Sequence, residues 1–191
     1  MLGNALDTEG RRQVEAMRVL DLACGPNKTA GAVGLDSNPR VHPDVLHDLD
    51  VFPYPFEDGS FDRIVCYNGL EHLARPLDVL REVARLGVDG AIFYFSTPHF
   101  TSPDAYTDPT HRHAFTSRSF DYLVSGTQLS ELNYADAGFE KVSVRVDFIG
   151  LPPLLRGVVR RLANRDLLTY ERRWAYVFPA HQLHVTLRVR K

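Results

Sequence analysis

The chain is 191 residues long and has only two cysteines, Cys24 and Cys66, with no zinc-type Cys pair. That excludes a disulfide-dense scaffold and a cysteine-ligated zinc centre, and the reading of both thiols as small buried residues at strand ends is favoured. No apolar run reaches the 18 or so residues that a membrane-spanning helix needs. The opening segment M-L-G-N-A-L-D-T-E-G has neither the basic stretch nor the apolar stretch of a secretion signal, so the expected location is the cytoplasm. A G-x-G-x-x-G dinucleotide fingerprint is missing, as are internal repeats and low-complexity segments. What remains is ordinary for one soluble globular domain over 1–191: 44% hydrophobic and 24% charged residues, in a chain long enough to bury a sizeable core.

The most informative stretch runs from Val19 to Asp36. Val19, Leu20 and Leu22 suit a parallel strand covered on both faces. Gly25 followed by Pro26 then forces a turn where backbone can approach a ligand. The next apolar run, Ala32 to Leu35, ends in Asp36. In doubly wound sheets an acid at the tip of the second strand accepts hydrogen bonds from ribose hydroxyls, and ligands sit beyond the carboxyl ends of the strands. Only ten residues separate Gly25 from Asp36, too few for a turn, a crossover helix and a strand. The first crossover is therefore expected to be a loop. With no helix N-terminus to receive a pyrophosphate, a cofactor with a ribose and no phosphate fits best.

The run D-L-A-C-G (21–25), the later F-P-Y-P-F-E-D-G-S-F-D (52–62), the strand R-I-V-C-Y-N-G (63–69) and L-E-H-L (70–73) together resemble class I S-adenosylmethionine-dependent methyltransferases, nearest to the small type 11 group. The resemblance spans about 19–120 in order. It implies an α/β fold, a Rossmann-like doubly wound mixed sheet of about seven strands, and S-adenosylmethionine as cofactor, with S-adenosylhomocysteine as product. By the same resemblance Asp21, Ala23, Cys24, Gly25 and Pro26 would face the methionyl end and Asp36 the ribose, with Ser37 assisting through its amide. Asp48 and Leu49 would meet the adenine, and Asn68 and Gly69 would lie below the sulfonium. As a lone residue Asp36 reads equally well as a turn or cap acid.

Further along, strands are expected near 18–23, 32–36, 44–47, 61–67 and 90–96, with two late strands over 139–149 and 181–190. A short leading helix is expected over 7–17. The best helix is 76–86, with Pro76 in its first turn and Gly87 just past its end, and its predicted buried stripe is Leu73, Leu77, Leu80 and Ala84.

The long loop over 97–117 carries His99, Tyr106, Asp108, His111 and His113 after the fifth strand. Loops of this length are often lids or binding loops. His99 and His111 are the candidates for a general base or an acceptor-orienting group, with Asp108 to orient an imidazole. Two rival readings stay open: turn and cap hydrogen bonds without chemistry, or a divalent metal on His99, His111, His113 and Asp108. The spacing matches no strong zinc signature, so no metal is assigned.

Charge is uneven. Residues 1–150 carry 13 Lys or Arg against 22 Asp or Glu, whereas 151–191 carry 9 against 2. Within 151–165, arginines interleave with leucines and valines at helical spacing, which predicts a basic amphipathic helix. A solvated basic face is the plain reading of that helix, and an anionic acceptor or membrane surface is the functional one. Nucleic acid is disfavoured, since the whole chain is mildly acidic and has no recognised motif for it. Tyr170, Trp174, Tyr176 and Phe178 fit the wall of an acceptor pocket, although an aromatic group of this kind is more often core.

The expected activity is methyl transfer to an oxygen or nitrogen of a small or carrier-linked acceptor. The alternatives are a non-catalytic cofactor-binding module that acts as a partner or regulator, and a nucleotide-dependent oxidoreductase, against which the short gap before Asp36 argues.

Overall fold

Apolar runs bounded by turn residues become seven strands of one sheet in the computed structural model, which describes residues 17–127, 129, 131 and 138–191. They are β1 (Val19–Leu22), β2 (Val33–Asp36), β3 (Val45–Leu46), β4 (Phe61–Tyr67), β5 (Gly87–Pro98), β6 (Phe139–Val146) and β7 (Gln182–Val189). The order is β3-β2-β1-β4-β5-β7-β6. β1 to β5 run parallel, and β7 lies antiparallel between β5 and β6. The strand order therefore reverses between β1 and β4, which opens a crevice beyond their carboxyl ends. The expected leading helix falls on residues outside the described part, apart from Met17.

The inner strands are apolar because both their faces are covered. Leu20, Leu22, Ile64, Cys66, Phe93 and Phe95 are fully buried. Helix α1 (Pro76–Leu86) starts and stops where the sequence predicts, packing on β5. Its buried stripe is Val79, Leu80, Val83 and Leu86, rotated from the one expected: Leu77 and Ala84 are only partly buried. The rotation leaves Glu82 facing inward, where its carboxylate accepts from the Tyr54 amide at 2.8 Å and from Arg85 at 2.7 Å. Arg85 also donates to the carbonyls of Tyr54 and Phe56, so this pair pins the aromatic segment 52–56 against the helix. Burial alone would raise the Glu82 carboxyl; the Arg85 and Tyr54 hydrogen bonds outweigh it and hold it below the usual range.

No crossover helix separates β1 from β2. A single 3-10 turn, Gly25–Asn27, takes its place. Three contacts hold this link: the Thr29 amide donates to Asp21 at 2.7 Å, the Gly25 amide to Asp36 at 2.9 Å, and Lys28 pairs with Asp44 at 2.6 Å.

After β5 the long loop holds one short helix, α2 (Asp104–Thr107). Near the C-terminal end, α3 (Pro153–Arg165) and α4 (Leu167–Arg173) precede β7. On α3 only Val159 and Ala163 are buried, while Leu154, Leu155, Val158 and Leu162 stay exposed beside its arginines. Tyr170, Trp174 and Phe178 line an apolar cavity of about 380 Å³ between α3 and α4; Tyr176 is exposed at the surface.

Candidate functional site

The tips of β1 and β4 carry the backbone features that single out the crevice. Ala23 (φ 52°) and Asn68 (φ 48°) are non-glycine residues in the left-handed region, one just past each strand, and Gly25 (φ 53°) follows in the turn. An L-residue such as alanine pays about 1–2 kcal/mol for that conformation, and such outliers concentrate at functional sites. Gly69 is needed for a different reason. A Cβ there would sit 2.7 Å from the Ala23 Cβ and 2.8 Å from the Cys66 Sγ, both on short, rigid side chains. Gly69→Ala is therefore expected to force β1 and β4 apart at their tips and cost about 1–3 kcal/mol, read as a lowered midpoint in thermal or urea unfolding. An unchanged midpoint would mean that the two tips move freely.

Between these tips lies a cleft of about 620 Å³ lined by Asp21, residues 23–27, Thr29, Tyr67 and Asn68. Its volume lies within the about 300–1,000 Å³ usual for small-molecule sites. Asp21 is 1% exposed; one carboxylate oxygen accepts from Thr29, and the other is buried with no hydrogen-bond partner. A buried carboxylate oxygen left free in a cleft wall is an acceptor available to a donor from outside the chain.

The remaining cofactor candidates are not among the residues that line this cleft. Asp36 accepts the Gly25 amide on one oxygen and the Asn38 amide, at 2.8 Å, on the other, so it braces the glycine turn. Ser37 and Asp48 are exposed at the tips of β2 and β3, and Asp48 caps the Asp50 amide at 2.9 Å. Leu49 is buried in the hydrophobic core, with its carbonyl accepting from Tyr54, rather than open to a ligand ring. Its burial corrects the expectation drawn for it.

A second cavity of about 630 Å³ adjoins the first and shares Asn68 with it. Glu71, His72, Asp108 and His111 are in its wall. His99 is absent from that wall, which corrects its assignment as a base: it is fully buried, with Nδ1 2.7 Å from the Thr101 hydroxyl and Nε2 3.3 Å from Glu171. Its position follows from β5 extending through Pro98, so that residue 99 still belongs to the sheet edge rather than to the loop. Asp108 reaches an imidazole through Thr110, and the imidazole is His72: Thr110 donates to Asp108 at 2.7 Å and lies 2.9 Å from His72 Nδ1. That hydrogen bond from Thr110, strengthened by its amide, keeps the Asp108 carboxyl below the usual range.

Reading the sequence missed Glu71 and His72, which enter it only as part of the L-E-H-L run. The available signal was their place immediately after the β4 tip, on the 3-10 turn Leu70–His72. Burial raises the Glu71 carboxyl above its usual range, opposed by its own amide and the Thr97 hydroxyl. Burial and the neighbouring His111 depress the His72 imidazole.

Residues 20–95 match the family described as "Methyltransferase domain". About nine-tenths of the chain superposes on several solved structures at low identity, which speaks for the fold. The YcgJ protein of Bacillus subtilis aligns with a TM-score of 0.59 at 15% identity, covering 92% of each chain. A SAM-dependent methyltransferase from Archaeoglobus fulgidus aligns with a TM-score of 0.57 at 18% identity, over 91% of this chain and 86% of that one. The [4+2]-cyclase SpnF aligns with a TM-score of 0.54 at 15% identity, over 91% of this chain and 74% of that one. No curated protein matches the chain by sequence. Among the described residues no helix is long and apolar enough to cross a membrane. Residues 20–95 thus match the methyltransferase-domain family, and the strand order over the rest of the sheet belongs to the same fold as these solved structures.

Proposed function

We propose that this protein moves a methyl group from S-adenosylmethionine to an oxygen or nitrogen of a small or carrier-linked acceptor, with the donor in the β1–β4 cleft and the acceptor in the adjoining cavity. The observation that carries this reading is the unpartnered, buried oxygen of Asp21 in a cleft that opens past Asn68 into a second, acid- and histidine-lined space. The methionyl ammonium suits that oxygen. Asp36 uses two of its roughly four lone-pair sites on the protein's own amides, which leaves capacity for a ribose diol. Asp48, at the exposed tip of β3, is the candidate partner for the adenine amino group.

Methyl transfer is an in-line displacement. The acceptor's lone pair forms the new bond to the methyl carbon while the C–S pair returns to sulfur, discharging the sulfonium, and a proton on the acceptor leaves to a base or to water. The protein's part is mainly alignment in a site that excludes water. His111 and the Asp108–Thr110–His72 relay face the acceptor space and are the groups available to orient the acceptor or take its proton.

Titration with S-adenosylhomocysteine and, separately, NADH tests the donor: binding of the first and not the second is expected, and the reverse overturns the reading. Asp36→Ala is expected to weaken S-adenosylmethionine binding by about 1.5–3 kcal/mol through lost charge-assisted hydrogen bonds. Unchanged affinity by calorimetry would remove Asp36 from the ribose site. A second reading, a cofactor-binding module that works through a partner, draws support from the exposed apolar residues beside the arginines of α3. Donor binding with no turnover across a broad set of acceptors would favour it.

A further inference from the structure

The loop after β5 folds back on the tip of β4. The Arg112 amide donates to the Glu71 carbonyl at 2.8 Å, which brings His111 alongside Glu71 and His72. One potential ligating atom from each of Glu71, His72 and His111 lies within 4.8 Å of the other two. The two imidazole rings meet edge to face, centroids 4.6 Å apart.

The hydrogen bonds around the two rings decide which nitrogens are free. His111 Nδ1 faces the Ala105 carbonyl at 3.2 Å, and a carbonyl oxygen can only accept. In the neutral ring Nδ1 therefore carries the proton and Nε2 presents the lone pair. The Thr110 hydroxyl gives its own proton to Asp108, so toward His72 Nδ1 it must accept. His72 is thereby held in the same tautomer, with its Nε2 lone pair free. Metal-ligating imidazoles are oriented in this way, with the second ring nitrogen donating to a carbonyl or, directly or through an intermediary, to a carboxylate. The third member is the more telling. Glu71 is 1% exposed, and neither of its carboxylate oxygens makes a well-formed hydrogen bond, its own amide and the Thr97 hydroxyl only partly offsetting the burial. A buried carboxylate so poorly supplied with donors is a costly arrangement that a bound cation would relieve.

We propose that Glu71, His72 and His111 form a binding site for a divalent first-row transition-metal cation such as zinc, manganese or iron(II). The ligand set of two imidazoles and one carboxylate suits these ions rather than calcium or magnesium, which prefer all-oxygen shells. Tetrahedral coordination with bonds near 2.1 Å puts ligand atoms about 3.4 Å apart, so modest side-chain rotation closes the triad around an ion. Three protein ligands leave at least one position open toward the cavity that adjoins the donor cleft, and an acceptor oxygen is the group suited to fill it. That last role rests on the methyl-transfer reading; the cation site itself does not.

The test uses the full chain, stripped with a chelator and titrated with cobalt(II) as a spectroscopic probe, then with zinc as competitor. The expected result is one cobalt per chain with visible d–d absorption, displaced by zinc and confirmed by elemental analysis. Glu71→Gln, His72→Ala and His111→Ala are each expected to weaken cobalt binding by more than about 10-fold, because loss of an outer-shell partner alone costs about 10–100-fold. Thr110→Val, which removes only the relay to His72, is expected to fall in that 10–100-fold range. S-adenosylhomocysteine affinity, measured in parallel by calorimetry, should be unchanged in His111→Ala, which separates failure of the cation site from failure of the donor site. Absence of stoichiometric cobalt uptake by the parent protein, or equal uptake by all three ligand variants with unaltered circular dichroism, would overturn the proposal.

Discussion

Asp21→Asn is expected to lower the affinity for S-adenosylmethionine and S-adenosylhomocysteine by about 10- to 100-fold, the loss of about 1.5–3 kcal/mol of charge-assisted hydrogen bonding. The substitution is nearly isosteric, and the amide oxygen can still accept from Thr29. The parent carboxylate is buried with one oxygen unpartnered, an arrangement that costs folding free energy until a ligand's donor arrives. The variant should thus be at least as stable as the parent when no donor is bound, and less stable when donor is in excess, since ligand stabilisation scales with affinity. Calorimetry for binding and thermal unfolding with and without S-adenosylhomocysteine give the two measurements. Equal affinities for parent and variant would mean that the free oxygen does not face the ligand.

The second large effect belongs to Glu171, on α4. Its carboxylate accepts from the Ser117 amide at 2.7 Å, the Ser117 hydroxyl at 2.9 Å and the buried His99 at 3.3 Å, tying α4 to the end of β5 and to the far end of the long loop. Glu171→Ala leaves these donors without an acceptor, each at about 1–3 kcal/mol, so a loss of roughly 3 kcal/mol or more is expected. For a chain of this size that is about 2–4 °C in the unfolding midpoint per kcal/mol. A pH signature should accompany it. Burial pushes the Glu171 carboxyl upward, but the hydrogen bonds from His99 and Ser117 outweigh it and hold the carboxyl below the usual range. A carboxyl lowered by folding contributes its full stability above the unfolded-state value, near 4.3. The contribution is lost as pH falls through the lower folded-state value. Stability of the parent should therefore decline on acidification below about pH 4 more steeply than that of Glu171→Gln. Parallel curves would show that the carboxylate is not ionised in the fold.

His99 shows how a residue can be located correctly along the chain and misread in space. Its position after the fifth strand was legible, but whether that strand ended at 96 or continued through Pro98 depended on pairing with β7, more than 80 residues away. Two more residues of pairing carry His99 into the buried end of the sheet and leave His111, half-buried, as the loop imidazole that lines the second cavity. Glu71 and His72 present the opposite case. Both are adjacent to a recognised strand tip, yet their meeting with His111 needs the Arg112–Glu71 backbone contact, which no local pattern announces.

By itself the sequence determined what is local or periodic: the apolar strands, the ends of α1 set by Pro76 and Gly87, the lost first crossover read from ten residues between Gly25 and Asp36, and the family to which that ordered set points. These follow from backbone sterics and from burial at short period, which neighbouring residues alone impose. The tertiary structure alone decided which face of α1 is buried, that Asp36 braces the glycine turn, that Leu49 and His99 belong to the core, and that Glu71, His72 and His111 converge. Each of these is a contact between segments distant in sequence. Such contacts depend on how a whole sheet twists and packs, and that packing is written in no single stretch of the chain.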